Sequence, residues 1–160
     1  MRNPFYISCY LLSRKGNLMV EKILYHTAAT ATGGGRDGTT ALDDGTTSID
    51  LVVPKELGGP GGDGLNPEKL FALGYAACFM GAMRHYAASK KVKVPDDATV
   101  NVSVGIGPRS DPGFGLNVQI AVSLPGLDTA IARDLIEGGH KVCPYSHATA
   151  GTLNITPTLV

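Results

Sequence analysis

No apolar run in this chain of 160 residues approaches the ~20 residues that a membrane-spanning helix needs. Net charge is missing too. The 14 Lys and Arg residues balance 14 Asp and Glu, with no long run of either sign, which argues against a nucleic-acid or acidic-membrane surface. Cysteine is scarce: Cys9, Cys78 and Cys143 are too few and too unevenly spread for a secreted disulfide framework. A cytoplasmic location follows as the default. Glycine, by contrast, is abundant at 21 residues and clusters in loops. The length suits one domain with a real core.

Residues 1–18 read as an appended extension outside that core. Pro4–Leu12 is mildly apolar after Arg2, but Arg14 and Lys15 follow and no small-residue cleavage site appears. Cys9 is incidental on this reading. A natural strand start lies at Met19, so residues 19–160 form the single domain.

That domain is organised around NPEKLFALGYAACFMGAM, residues 66–83. Asn66 suits an N-cap and Pro67 the first helical position. From Leu70 to Met83 there is no charge, so the helix is apolar all round and belongs inside a core. Cys78 sits near its middle, among Gly74, Tyr75, Gly81 and Ala82 at helical spacing. A thiol in such surroundings has its pKa raised and is inert unless a cation stabilises the thiolate. No nearby helical residue supplies one, so on this helix alone Cys78 reads as a small core residue.

Before this helix, Val20–Ala31 and Leu42 with Ser48–Val53 read as strands. Gly33–Gly38 is a tight connection presenting Arg36, and Asp43-Asp44-Gly45 is a hairpin signal. Residues 57–65 read either as a plain linker or as a mobile glycine-rich wall over a pocket. After it, Val100–Ile106 and Leu116–Leu124 alternate cleanly as a hairpin with one buried face. Asp128–His140 is a second helix, its end weakened by Gly138-Gly139 and closed by Cys143-Pro144. Thr152–Val160 is a last strand. The order predicts an α+β fold with one antiparallel sheet of about five or six strands. One such sheet covers only one side of the apolar helix, so a second copy is expected on the other, in an intimate homodimer.

Three blocks then stand out together: GGRDG at 34–38, NPEKLFALGYAACF at 66–79 and VCPYSHAT at 142–149. In this order they resemble the Ohr branch of the OsmC/Ohr family, over nearly everything from Val20 onward. The resemblance implies an intertwined α+β homodimer, antiparallel sheets wrapped around long buried central helices, with two active sites at the subunit interface. It implies a thiol-dependent peroxidase that reduces organic hydroperoxides to alcohols. Cys78 becomes the peroxidatic cysteine, Cys143 the resolving one, and Arg36 the cation that stabilises thiolate and peroxide. Glu68 becomes the acid that orients Arg36. Gly138-Gly139, His147 and Ala150 depart from the family's usual alanines, asparagine and arginine.

Glu68 and Cys78 are ten residues apart, ~15 Å along a continuous helix. One Arg36 cannot easily touch both within one subunit, so composite sites are expected. Phe71, Phe79, Met80 and Tyr145 are candidates for an alkyl-binding pocket, with core packing as their plain alternative. No cofactor or metal is expected; the reductant is an external dithiol, by resemblance the dihydrolipoyl group of a lipoylated carrier protein. Two other readings stand behind this one: a non-catalytic redox sensor or ligand-binding module using the same disulfide, and a cysteine hydrolase using His85, His140 or His147. Metal binding by His140, Cys143 and His147 has weak spacing and no fourth ligand.

Overall fold

The computed structural model describes residues 20–160. The expectations for residues 1–18 and Cys9 lie outside the described residues. Ten-residue strands β4 (Thr99–Pro108) and β5 (Phe114–Ser123) make the hairpin that the alternation predicts. Its register pairs Val100 with Val122, Val102 with Ile120, Val104 with Val118 and Ile106 with Leu116. One face therefore carries the whole apolar set. Against it lies α1 (Pro67–Ser89), which packs on its other side against α2 (Thr129–Val142). The core forms where they meet, from Tyr75, Phe79 and Met83 of α1, Ile120 and Val122 of β5, and Leu135 of α2.

Both helix starts are capped by side chains. The Asn66 side-chain oxygen accepts from the Lys69 amide at 2.8 Å, and Pro67 follows at the first helical position. The Asp128 carboxylate accepts from the Ala130 and Ile131 amides. Each cap satisfies amides that have no partner inside the helix.

The expected single sheet is in fact two sheets of three strands. The first joins β1 (Ala29–Thr32), β2 (Thr39–Leu42) and β3 (Ser48–Asp50), all antiparallel. The second adds β6 (Thr158–Leu159) to the β4–β5 hairpin, parallel to β5. Of the predicted strand Val20–Ala31, only its end is paired, and residues 20–28 are exposed. The last strand is likewise shorter than expected, Pro157 lacking the amide that would extend the ladder. A short helix, α3 (Pro144–Thr149), was not anticipated. The proline that stops α2 also sits at the first position of α3, where its fixed φ and missing amide do no harm.

The glycine-rich stretch 57–65 is tied down by backbone. Lys55–Leu57 forms a short 3-10 turn, Gly59 and Gly61 amides reach Pro54 and Val53 carbonyls, and Lys69 Nζ reaches the Gly64 carbonyl. It walls a cleft at the start of α1, lined also by Lys55, Glu56 and Lys69, rather than one around Cys78.

Gly138 and Gly139 do not weaken α2, which continues through them to Val142. Both are buried, and a Cβ on Gly139 would lie 2.9 Å from the Met83 Cα of α1. They let two helices approach closely. Gly139→Ala is expected to lower stability by about 1–2 kcal/mol, overpacking outweighing the better helix propensity. Denaturant unfolding checks this, and an unchanged midpoint would count against a tight α1–α2 seam.

One face of α1 has no cover among the described residues. Leu73, Ala77, Gly81, Arg84 and Ala88 recur at helical spacing and are exposed, Leu73 at 61%. From Leu70 to Met83 the helix is apolar all round, as expected, and the described sheets and helices reach only part of it.

Candidate active site

The kink at Cys143 brings two distant parts of the chain together. Cys143 closes α2, its amide donating to the Gly139 carbonyl, and opens α3, its carbonyl accepting from the His147 amide. Its backbone is extended between the two helices, which turns the sulfur toward α1. The Cys78 and Cys143 sulfurs are 3.6 Å apart and unbonded. That separation needs only small side-chain movement to close to a bond of ~2.05 Å.

The two thiols differ in access. Cys143 is fully buried, whereas Cys78 is part-exposed. A reagent arriving from outside meets Cys78 first. Burial pushes the Cys78 thiol above its ordinary pKa, a backbone hydrogen bond from Tyr145 opposes this, and the neighbouring Cys143 raises it further. Gly74, one turn earlier, leaves the space into which the Tyr145 ring fits; a Cβ there would lie 3.1 Å from the Tyr145 hydroxyl.

Arg36 stands in the β1–β2 connection, as the glycines there predict. Gly38 makes that turn feasible, because a Cβ would meet the Thr32 carbonyl oxygen at 2.0 Å. Arg36 Nη2 donates to Glu68 Oε2 at 2.5 Å. The Glu68 side chain is 12% exposed and that of Arg36 40%. So Arg36 and Glu68 meet, and Cys78 and Cys143 meet. Burial and Cys143 raise the Cys78 thiol and Tyr145 lowers it, while the side-chain hydrogen bond of Arg36 goes to Glu68 and that of Cys78 to Cys143. Glu68 holds Arg36 at the start of α1, and Cys78 lies ten residues along it.

The aromatic candidates divide. Phe71 stacks on Tyr145 with ring centroids 6.0 Å apart, and Tyr75 packs against both. Met80 is part-buried. Phe79 is fully buried in the core, its ring beside His140. The histidines do not engage a sulfur: His140 Nδ1 pairs with Ser146 Oγ at 2.9 Å, and His85 and His147 are exposed. Among the described residues no three or more His, Cys, Asp or Glu side chains cluster to hold a metal.

Residues 59–158 match the family model described as OsmC-like protein. Over 139 residues the chain is 50% identical to the organic hydroperoxide resistance protein of Xanthomonas axonopodis pv. citri (strain 306), covering 87% of this chain and 96% of that one. The chain belongs to the OsmC/Ohr family. Its Ohr branch also supplies close structural matches. A crystal structure of an organic hydroperoxide resistance protein from Elizabethkingia anophelis, with thiocyanate bound, aligns with a TM-score of 0.81 at 45% identity, covering 86% of this chain and 97% of that one. A Vibrio cholerae protein described as a putative organic hydroperoxide resistance protein, with captopril bound in one of its active sites, aligns at 0.80 and 40% identity, covering 91% and 96%. The mixed α+β architecture of the chain is thus that of OsmC/Ohr proteins.

Two site features escaped sequence reasoning in this Ohr-branch chain. One is the Tyr145 amide as a donor to Cys78, for which Pro144 at a helix start was the available signal. The other is the hydrogen bonding of His140 with Ser146. They are six residues apart, on two helices whose junction is visible only once α3 is known.

Proposed function

We propose that this protein is a thiol-dependent peroxidase that reduces organic hydroperoxides to alcohols. The observation that carries the reading is the pair of free sulfurs 3.6 Å apart, one part-exposed and one fully buried. The Cys78 thiolate attacks the terminal peroxide oxygen, the O–O bond breaks, and the alcohol leaves after taking a proton. Cys78 is then a sulfenic acid. The Cys143 sulfur attacks it, a disulfide forms, and the oxygen departs as water. A dithiol reduces the disulfide by exchange. Phe71, Met80 and Tyr145 offer an apolar approach that favours alkyl over hydrogen peroxide, with Phe79 beneath them.

The raised Cys78 thiol needs a cation for this chemistry, and Arg36 is its source. Arginine stays charged when partly buried and presents several fixed donors. Since Glu68 holds Arg36 far along α1 from Cys78 of the same chain, the arginine serves Cys78 of a second copy. The open apolar face of α1 supports the same homodimer. Arg36→Ala then raises the Cys78 pKa by about 1–3 pH units, the effect of losing a near opposite charge. The rate of thiol alkylation against pH measures this, and an unmoved profile would contradict the role of Arg36. Mixing an Arg36→Ala copy with a Cys78→Ser copy tests the composite site. Each mixed dimer keeps one intact site if Arg36 acts across the interface and none if it acts in cis.

The test of the whole reading is steady-state consumption of cumene hydroperoxide and of hydrogen peroxide. Preference for the organic peroxide, sustained by a dihydrolipoyl dithiol and poorly by a monothiol, is the expected result. A single oxidation without turnover would favour a redox sensor. The family's lipoylated carriers are the natural donors, and a cytoplasmic setting keeps the thiols reduced.

A further inference from the structure

Three residues that this mechanism does not use form a hydrogen-bonded chain around Cys143. The Tyr75 hydroxyl lies 2.9 Å from Ser146 Oγ, and Ser146 Oγ lies 2.9 Å from His140 Nδ1. Tyr75 is fully buried and Ser146 nearly so. Tyr75 stands one turn before Cys78 on α1, and His140 three residues before Cys143 on α2. Ser146 stands three residues after Cys143, on α3. The chain therefore ties together the three helices that hold the two sulfurs, and brackets the Cys143 kink from both sides.

Counting hydrogens fixes its direction. Tyr75 and Ser146 each have one hydroxyl hydrogen, and neither side chain makes another hydrogen bond to the described residues. Both hydrogens are used only if Tyr75 donates to Ser146 and Ser146 donates to His140 Nδ1. That nitrogen must then be bare, with the ring neutral and its hydrogen on Nε2. A protonated ring puts a hydrogen on Nδ1. One hydroxyl hydrogen is then left without an acceptor inside the protein, which is costly.

We propose that Tyr75, Ser146 and His140 are positioning residues for disulfide closure: with His140 neutral they hold the Cys143 kink against Cys78, and protonation of His140 loosens it. This rests on the peroxidase reading above. The step affected is Cys143–SH with Cys78–SOH. The S–O bond of Cys78 breaks and the S–S bond forms. Cys143 is oxidised, the Cys78 sulfur is reduced, and the thiol proton leaves with the hydroxide as water. The first oxidation, which needs only Cys78 and its cation, is untouched.

The surroundings of His140 agree. It lines a cleft of about 520 Å³, and burial pushes its pKa below the ordinary histidine value, toward the neutral ring. On its own helix Arg133, Glu137 and Lys141 line the same cleft, two cations against one carboxylate. From α1 it meets the Phe79 ring and, through Ser146, Tyr75. From α3 it meets Ser146. The stretch Ile155–Leu159 adds no ionisable side chain.

The test uses the full chain and cumene hydroperoxide. Mass spectrometry reads the ratio of Cys78–Cys143 disulfide to over-oxidised Cys78, and peroxide consumed in a single turnover reads the first step. Ser146→Ala is expected to slow closure by about tenfold, its hydrogen bonds with Tyr75 and His140 both being lost, while the first step keeps its rate. His140→Asn places an amide oxygen near the position of Nδ1, accepts from Ser146 and does not titrate. Its closure rate relative to wild type should be near one at neutral pH and rise several-fold as the pH falls below the ordinary histidine value. That ratio cancels the thiol ionisation common to both. A ratio flat with pH, or an unchanged disulfide yield in Ser146→Ala, would overturn the proposal while leaving the peroxidase reading standing. Wild type that fails the first oxidation would overturn both.

Discussion

Cys78→Ser reduces the consumption of cumene hydroperoxide to background, a loss of about 10³-fold or more. Serine is close in size and the site is part-exposed, so the fold is retained. What disappears is the chemistry. A hydroxyl at neutral pH is not ionised, and its oxygen cannot take up the peroxide oxygen and then release it as water when a thiol attacks. Cys143 does not substitute, because it is fully buried and the Tyr145 amide that assists the thiolate is directed at Cys78. Circular dichroism shows whether the fold is kept, and a peroxide assay reads the loss. Retained consumption would remove Cys78 from the nucleophile's role.

Cys143→Ser has a different signature. The first equivalent of hydroperoxide is consumed as in wild type, but steady-state turnover with a dithiol falls by about 10²-fold. Closure in wild type is intramolecular, between sulfurs already 3.6 Å apart. Without the second sulfur the sulfenic acid waits for an external thiol and meets more peroxide first. Cys78 then climbs to the sulfinic and sulfonic acids, which dithiols do not reduce. Intact mass after excess peroxide shows added oxygen atoms on the variant and a loss of two hydrogens on wild type. Identical products from both would exclude Cys143 from the cycle.

Much of this site was legible before any coordinates, for reasons specific to particular residues. Asn66-Pro67 marks a helix start by local capping, and the structure begins α1 at Pro67. Val100–Ile106 and Leu116–Leu124 alternate because one face is buried, and the register pairs them as expected. Arg36 sits where Gly33–Gly38 forces a turn. The cysteine pairing was different. Nothing in the spacing of Cys78 and Cys143 implied contact, and only likeness to the OsmC/Ohr pattern did.

What the sequence misstated shares a cause. Residues 20–28 have strand-like composition but no partner strand among the described residues, and strand propensity is realised only through pairing. Gly138-Gly139 looked like a helix end because propensity was weighed without the neighbouring helix. Packing against Met83 and Tyr86 overrides it. The junction at Cys143 carried two signals at once. Pro144 ends one helix and starts another, and only the ending was read. On α1 the cations nearest in sequence to Cys78 are Arg84, six residues on, and Lys69, nine back, and neither shifts its thiol. Glu68 holds Arg36 at the far end of that helix, which is why the site is proposed to need two copies.

The most direct test is peptide mapping after one equivalent of cumene hydroperoxide, with free thiols blocked before digestion. The account predicts a single linked peptide joining Cys78 to Cys143 of the same chain, reversed by a dihydrolipoyl dithiol. Blocked, unoxidised Cys78, or Cys78 joined across chains with Cys143 still free, would contradict it.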